Sequence, residues 1–291
     1  MQKRKQAVEN FVRGIFLILG LVTVGCVLLI TVYLILTGIP AIRQIGFFQF
    51  LLGSRWESTA KEPAFGILPF ILTSIYGTAG AMLFGVPAGF MTAVYLAKLA
   101  PPRIKAVMES AISLLAGIPS VVYGLVGMMV LVPGIRKLFS VPDGASLLAA
   151  IIVLAVMILP SVIKVSLTAL EAVPREYEDA SLALGATPIE TCFRVSVPAA
   201  RSGIAAAVVL GVGRAIGEAM AVMMVSGNVP NMPGLFRSVR FLTTAITSEM
   251  SYSGPGSLQR QALFSIALVL YLFIMMINAA LNFFLKRSKE A

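Results

Sequence analysis

Six apolar stretches, each long enough to cross a lipid bilayer, place the strongest constraint on how this 291-residue chain can fold. A spanning helix needs about 20 mainly apolar residues, because it rises about 1.5 Å per residue across a hydrocarbon layer about 30 Å thick. Inside that layer every backbone N–H and C=O must be paired within the protein, which favours helices. The sequence therefore predicts an all-α integral membrane protein with six transmembrane helices, at residues 14–37, 66–96, 114–132, 145–170, 203–227 and 261–285.

The composition excludes several other classes of protein. Charged residues make up 12% of the chain and hydrophobic residues 58%, which is too little charge to cover the surface of a soluble domain of this size. The chain has no histidine, the most common acid–base catalyst, so a membrane-embedded enzyme is disfavoured. The net charge of +10 could indicate a nucleic-acid partner. We expect none, because membrane proteins collect Lys and Arg at their cytoplasmic surface.

The distribution of basic residues predicts the orientation in the membrane. Six spans place both termini on one side, and that side carries 14 Lys and Arg residues against eight on the other. Positive charge is retained in the cytoplasm, so we expect both termini there. The positions of the spans divide the chain into three parts. These are an N-terminal segment with the first helix and an outer loop (1–65), a core of five spans (66–285) and a cytoplasmic tail (286–291).

The longest polar interruption on the cytoplasmic side, residues 171–201, carries the signals of two short helices. Pro174 suits the first helical position, and Gly185 offers the left-handed conformation that ends a helix. A capping box with proline at its first helical position opens a second helix at 187–190, and Pro198 is expected to end it. An ordinary helical loop fits the pattern too. Carboxylates that favour the positive end of the first helix are Glu176, Glu178 and Asp179.

Two charges lie deep in the fifth span. Arg214 and Glu218 are four residues apart, so a continuous helix would present both on one face. A charged side chain at the bilayer centre costs roughly 2.5–3.5 kcal/mol, and pairing offsets part of that cost. One interpretation is a structural clamp to a neighbouring helix. The other is that Arg214 meets an anion in a polar path, with Glu218 holding its guanidinium in place.

Prolines predict where the spans bend. Pro119 removes a helical hydrogen bond, so the third span should bend or break there. The freed backbone groups, together with Ser120 and Tyr123, are candidates to line a polar cavity, although a bent helix without a ligand fits equally well. We also expect Pro87 to kink or divide the second span and Pro160 to interrupt the fourth.

The polar loop resembles the EAA loop of ABC importer permeases. That signature has an acid-Ala-Ala group, a glycine after three residues and Ile-x-Leu-Pro nine residues later. The equivalents here, with mild departures, are Asp179-Ala180-Ser181, Gly185 and Val195-Ser196-Val197-Pro198. The resemblance implies the type I importer (MetI-like) fold of six transmembrane helices, with a cytoplasmic coupling helix between spans four and five. It also implies docking to an ATP-hydrolysing subunit through Glu178, Asp179, Ala180, Ser181, Gly185, Ala186 and Pro198.

Two further strings are similar to those of the phosphate-specific permeases, and closer to the PstC type than to PstA. They are Gly-Arg-Ala-Ile-Gly-Glu at 213–218 and Ala-Gly-Ile-Pro-Ser-Val-Val-Tyr-Gly at 116–124. The resemblance implies an ATP-driven phosphate importer of a bacterial inner membrane, with Arg214 and Glu218 on the phosphate path. It implies membrane lipid around the chain and a sister permease (PstA-like), two ATPase subunits (PstB-like) and a periplasmic phosphate-binding protein (PstS-like) as partners.

No cofactor is expected in this chain. It contains no G-x-x-x-x-G-K-[ST] sequence, so ATP and Mg would be bound by the partner ATPase. Two alternatives stay open. One is a permease for another oxyanion, such as sulfate or molybdate, since an arginine serves any tetrahedral anion. The other is a secondary transporter driven by an ion gradient, although the capped loop would then have no evident function.

Overall fold

A computed structural model describes the backbone of residues 2–290 and the side chains of residues 9–280 and Phe283. The described chain is almost entirely helical, which confirms the predicted all-α membrane fold. A two-stranded antiparallel hairpin, β1 (Trp56–Glu57) and β2 (Ala64–Phe65), is the small exception. The helices are α1 Gln2–Ile45, α2 Phe47–Leu52, α3 Leu68–Val94, α4 Pro102–Gly117, α5 Ser120–Val126, α6 Val132–Phe139, α7 Leu147–Glu171, α8 Arg175–Ala183, α9 Pro188–Thr191, α10 Val197–Ala199, α11 Arg201–Gly217, α12 Met220–Val225, α13 Leu242–Glu249 and α14 Leu258–Glu290.

Within the described residues, five helical segments are long and apolar enough to cross a membrane: Glu9–Ile45, Leu68–Leu99, Ser120–Phe139, Leu147–Glu171 and Leu258–Ala280. A sixth is obtained if the pair Pro188–Ala199 and Arg201–Gly217, bent by 72°, counts as one span. Wide π-helical turns join several pieces into these segments. They are Tyr95–Leu99 after α3, Gly127–Leu131 between α5 and α6, and Cys192–Ser196 between α9 and α10.

The predicted interruption at Pro160 is wrong, and Pro87 does not divide the second span. Helix α3 continues through Pro87, and α7 continues through Pro160. These two helices pack along each other, with glycines of α3 at the contact: a Cβ atom added to Gly85 would lie 2.9 Å from the carbonyl oxygen of Ala155. In lipid, small residues allow such close packing, and neighbouring helices stabilise a proline-containing helix that would be weak alone.

The third span starts later than predicted. Residues 102–117 form a separate helix, α4, and the membrane segment begins at Ser120 after two extended residues. The break at Pro119 is therefore confirmed. The stretch 133–144, which has the composition of a loop, is helical as far as Phe139, because α6 continues from the π-helical turn before it.

A polar cluster around Glu249 joins three parts of the chain. The carboxylate of Glu249, at the end of α13, accepts hydrogen bonds from the Trp56 indole (2.9 Å), the Ser58 hydroxyl (2.9 Å) and the Gln259 amide (3.1 Å). It also pairs with Arg240. Because all these groups are at least partly buried, the cluster fixes the hairpin and the start of α14 relative to α13.

Candidate functional site

The coupling region, residues 171–200, has the two helices and the turn that the sequence predicts. Helix α8 begins directly after Pro174, and Gly185 adopts φ of +90° in the turn that follows it. The Thr187 hydroxyl caps α9 by accepting a hydrogen bond from the backbone N–H of Glu190, whose carboxylate accepts one from the backbone N–H of Thr187. The capping box is thus confirmed.

The same hydrogen bonds affect the acidity of Glu190. Its carboxylate accepts bonds from both the backbone N–H and the hydroxyl of Thr187, each at 3.0 Å. These bonds favour the ionised form and lower the pKa of Glu190 below its ordinary value. The charge therefore persists at the N-terminus of α9, where it complements the helix dipole.

Glu178 points into the protein. Its side chain is 21% exposed, forms an ion pair with Lys98 and accepts a hydrogen bond from the Ser196 hydroxyl at 2.8 Å. Lys98 lies in the last turn of the span that begins with α3, and Ser196 lies just before the bend that leads to α11. Glu178 therefore links α8 to the end of the span that begins with α3 and to the helical segment that leads to α11. Sequence reasoning missed both partners; the signal was a lysine at the end of a span that faces an acidic loop.

The other residues of the predicted docking set differ in how far their side chains are exposed. Asp179, Ala180, Gly185 and Pro198 are exposed, whereas Ser181 and Ala186 are half-buried. The Ser181 hydroxyl lies 2.9 Å from that of Thr191 and so joins α8 to α9. The helical segment Pro188–Ala199 ends one residue after Pro198, close to the prediction.

Large apolar side chains project from the coupling region. Leu184 is 90% exposed, Ile189 59% and Tyr177 57%, although the segments around them are polar. Hydrophobic side chains grouped on an otherwise polar protrusion are typical of a surface that binds another protein. Together with Asp179, they form the part of the region that is available to a partner.

The predicted ion pair between Arg214 and Glu218 is wrong. Helix α11 ends at Gly217, and Glu218 has an extended backbone (φ −73°, ψ 127°), so one helical face does not present both residues. No carboxylate of a described residue lies within 4.0 Å of the Arg214 guanidinium. Spacing alone could not show this, because the i, i+4 rule holds only in an unbroken helix.

Glu218 caps the next helix instead. Its carboxylate accepts a hydrogen bond from the backbone N–H of Ala221 at 2.9 Å, in the first turn of α12. Its backbone carbonyl accepts a bond from the Thr243 hydroxyl at 2.8 Å, from α13. A carboxylate at a helix N-terminus is favourable, so the break satisfies both the acid and the free backbone groups around it.

Arg214 is half-buried and donates a hydrogen bond to the Ser161 hydroxyl of α7 at 3.2 Å. Arg214 and Tyr123 form no hydrogen bond with each other. Tyr123 itself donates a hydrogen bond to the carbonyl of Leu115 at 2.7 Å, across the break at Pro119. Ser120, half-buried, is the first residue of α5.

The segments that follow the two breaks pack on each other. A Cβ atom on Gly124 of α5 would lie 2.9 Å from the Cα of Ala221 in α12. The cleft of about 850 Å³ beside Tyr123 is lined by apolar residues of α5, α6 and α7 and not by the polar groups that the sequence suggested. The polar contact of Arg214 is instead with Ser161, a residue of another span that was not foreseen.

The geometry thus combines a membrane core of packed helices, a half-buried cation in the last turn of α11 and a capped helical region before that helix. The family model described as "Binding-protein-dependent transport system inner membrane component" matches residues 85–290. The chain belongs to this family, whose members are permease subunits of ABC importers and not themselves enzymes. It is therefore a multi-pass inner-membrane protein of the MetI type, and it requires ATPase and binding-protein partners.

Two individual relatives are similar to this chain over most of its length. The chain is 40% identical over 266 residues to the probable ABC transporter permease protein YqgH of Bacillus subtilis. The match covers 89% of this chain and 86% of YqgH. It is 33% identical over 294 residues to the phosphate transport system permease protein PstC of Haemophilus influenzae, covering 94% and 89% of the two chains.

A solved structure with a similar fold is the inward-facing methionine ABC transporter MetNI. The TM-score is 0.59 at 19% identity, and the match covers 76% of this chain and 97% of the other. An amino acid ABC transporter gives 0.54 at 21% identity. These likenesses concern the fold, which is the predicted MetI-like arrangement.

Proposed function

We propose that this chain is the PstC-like permease subunit of an ATP-driven phosphate importer. The observation that carries the proposal is Arg214, a half-buried membrane cation that has a hydroxyl partner, Ser161, but no carboxylate within 4.0 Å among the described residues. Similarity to PstC proteins over most of the chain supports phosphate as the anion. The family assignment removes the gradient-driven alternative.

An anion would complete the site around Arg214. The planar guanidinium donates paired, charge-assisted hydrogen bonds to a tetrahedral oxyanion, and a bound anion offsets the cost of the buried charge. Tyr123 and Ser120, on α5, are the proposed neutral contacts. Glu218 lies at the break and repels the anion from α12, which would keep binding weak enough for release.

The coupling region would transmit the conformational change that ATP hydrolysis drives in the ATPase subunits. We propose that it faces the cytoplasm, as both termini do, and that Asp179 and the exposed apolar residues dock on the ATPase. Glu178 transmits motion to α3 through Lys98. The bend at Ala200 leads directly into α11, and Arg214 lies 13 residues along that helix, about 20 Å away at 1.5 Å per residue.

The proposed assembly contains one sister permease (PstA-like), two ATPases (PstB-like) and a periplasmic phosphate-binding protein (PstS-like). ATP and Mg would be held by the ATPases. Residues 178–181, 185, 186 and 198 form the proposed coupling set. Of these, Glu178 and Ser181 act within the chain, and the exposed residues act on the partner.

The site is tested by uptake of radiolabelled phosphate into cells or vesicles that carry the whole importer. Arg214→Gln should reduce uptake by about 10- to 100-fold, since a hydrogen bond to a charged group contributes about 1.5–3 kcal/mol. Arg136→Gln, which changes an exposed arginine of α6 outside the site, is the control. Unchanged uptake in the Arg214 variant would remove this residue from the path. Competition by sulfate or molybdate stronger than by phosphate would favour the other oxyanions.

Coupling is tested at the turn. Gly185→Val places a β-branched residue at φ of +90°, a conformation that costs of the order of 1–3 kcal/mol, whereas Gly185→Asn tolerates it. We expect the valine variant to lose transport while it remains in the membrane, and the asparagine variant to retain it. Equal transport by both variants would contradict a role for this turn in coupling.

A further inference from the structure

A groove at the bend between the coupling region and α11 has the chemistry of a lipid site. Its volume is about 500 Å³, and it lies where the chain turns by 72° at Ala200. Side chains of α3, α7, α10 and α11 form its walls, and they are apolar apart from Arg201 and Ser166. Its apolar lining includes Phe90, Val162 and Val208.

The two polar residues of the groove have no partner among the described residues. Arg201 is exposed and forms no ion pair or hydrogen bond. The Ser166 hydroxyl is fully buried and also lacks a hydrogen-bond partner. Buried hydroxyl groups are nearly always paired, so an orphan hydroxyl that lines a groove indicates a ligand that accepts its hydrogen bond.

The polar groups are ordered along the groove as they are in a phospholipid. Along α11, Gly203 faces Ala169 and Gly211 faces Val162, so Ser166 lies at a level between them and deeper than Arg201 by about one to two helical turns. A cation therefore lies at the open end and a hydroxyl lies further in. The apolar wall continues to Val208.

We propose that this groove binds an anionic phospholipid, whose phosphate contacts Arg201. A glycerol-ester carbonyl accepts the hydrogen bond of Ser166, and an acyl chain packs along Phe90 and Val208. The unpaired positive charge selects an anionic headgroup, and the apolar wall distinguishes a lipid from free phosphate. The lipid would touch both Pro198 and α11, and so would fill the inner side of the bend. This inference does not depend on the transported substrate.

The test uses the full chain, purified with the subunits that accompany it and reconstituted in nanodiscs of phosphatidylcholine and phosphatidylglycerol. Native mass spectrometry measures the phosphatidylglycerol that stays bound after release from the disc. Arg201→Gln should reduce retention by about fivefold, the effect expected for one basic residue at a membrane surface. Ser166→Ala should reduce it less, and Ala205→Phe should block the groove. Arg194→Gln, an exposed arginine of the coupling region outside the groove, should leave retention unchanged.

Several results would overturn the proposal. They are equal retention by wild type and Arg201→Gln, equal retention of phosphatidylcholine, and displacement of the lipid by inorganic phosphate. If the groove is covered by another subunit, Ala205→Cys would cross-link to that subunit and no lipid would be retained, which would also refute the site. Melting temperatures in detergent verify that each variant is folded, so a loss of lipid cannot be assigned to unfolding.

Discussion

Two membrane helices of this permease break, and the breaks have different causes. At Ile118–Pro119 the cause is covalent: proline lacks an N–H, and the residue before it prefers an extended conformation. At Glu218–Ala219 there is no proline. There the Glu218 carboxylate caps α12, and the Glu218 backbone carbonyl accepts a hydrogen bond from the Thr243 hydroxyl. These contacts hold Glu218 in its extended conformation.

The comparison shows how far a local pattern can be trusted in a membrane span. The proline break could be read from one residue. The second break replaced an expected ion pair by a local helix cap, and the contacts of α12 with α5 and of the Glu218 carbonyl with Thr243 accompany it. If this explanation is correct, changes at the α5–α12 contact should disturb the second break more than changes at Pro119 disturb the first.

The largest effect is expected from Gly124→Val. The new side chain would start 2.9 Å from the Cα of Ala221, which cannot move without shifting α12. Overpacking of this kind costs about 1–3 kcal/mol, so we expect a large fall in the melting temperature in detergent and loss of uptake. Gly117→Ala is the control, since no atom lies within 4 Å of its added Cβ. A stable Gly124→Val protein would show that the two segments do not depend on each other.

A smaller effect is expected at Glu218, where two substitutions distinguish the role of its capping hydrogen bond from the role of its negative charge. Glu218→Ala removes the acceptor for the Ala221 N–H and should destabilise the protein by about 1–2 kcal/mol. Glu218→Gln keeps an acceptor oxygen, so its stability should stay close to that of wild type, whereas phosphate affinity should rise as the negative charge is lost. Chemical unfolding in mixed detergent gives the stabilities. Equal losses in both variants would mean that the charge, and not the cap, holds the break.

Tyr123→Phe should have a more modest effect on the first break. It removes the hydrogen bond to the Leu115 carbonyl, which contributes about 1 kcal/mol. Tyr76→Phe, at a tyrosine that is 50% exposed, serves as the matched control. We expect a lower unfolding midpoint for the first variant alone. A similar midpoint for both would indicate that Pro119 by itself maintains the break.

The smallest global effect is expected from Thr187→Val in the coupling region. Loss of the cap costs about 1 kcal/mol locally, but α9 is short and exposed, so the membrane core should keep its melting temperature. Amide hydrogen exchange should instead become faster in residues 187–191. Global destabilisation would mean that the coupling region and the core unfold together.

The coupling region was the most predictable part of the molecule. Gly185 and the 187–190 capping box act on their nearest neighbours in sequence, so composition and spacing were enough to place them. The role of Glu178 was missed, because Lys98 and Ser196 lie 80 and 18 residues away along the chain. The same holds for Ser161 beside Arg214, which is 53 residues away.

The sequence by itself determined that the chain crosses a membrane, approximately where the first, second, fourth and sixth predicted spans lie and which loop carries the helical caps, because hydrophobicity and capping act over at most a few turns. The tertiary structure alone decided that Pro87 and Pro160 do not divide their helices. Pro87 and Pro160 lie in continuous helices because α3 and α7 pack along each other, while Pro119 begins a new helix. The partners of Arg214 and Glu178, and the bond from the Thr243 hydroxyl to the Glu218 carbonyl, were decided in the same way, since each depends on groups that only the folded chain brings together.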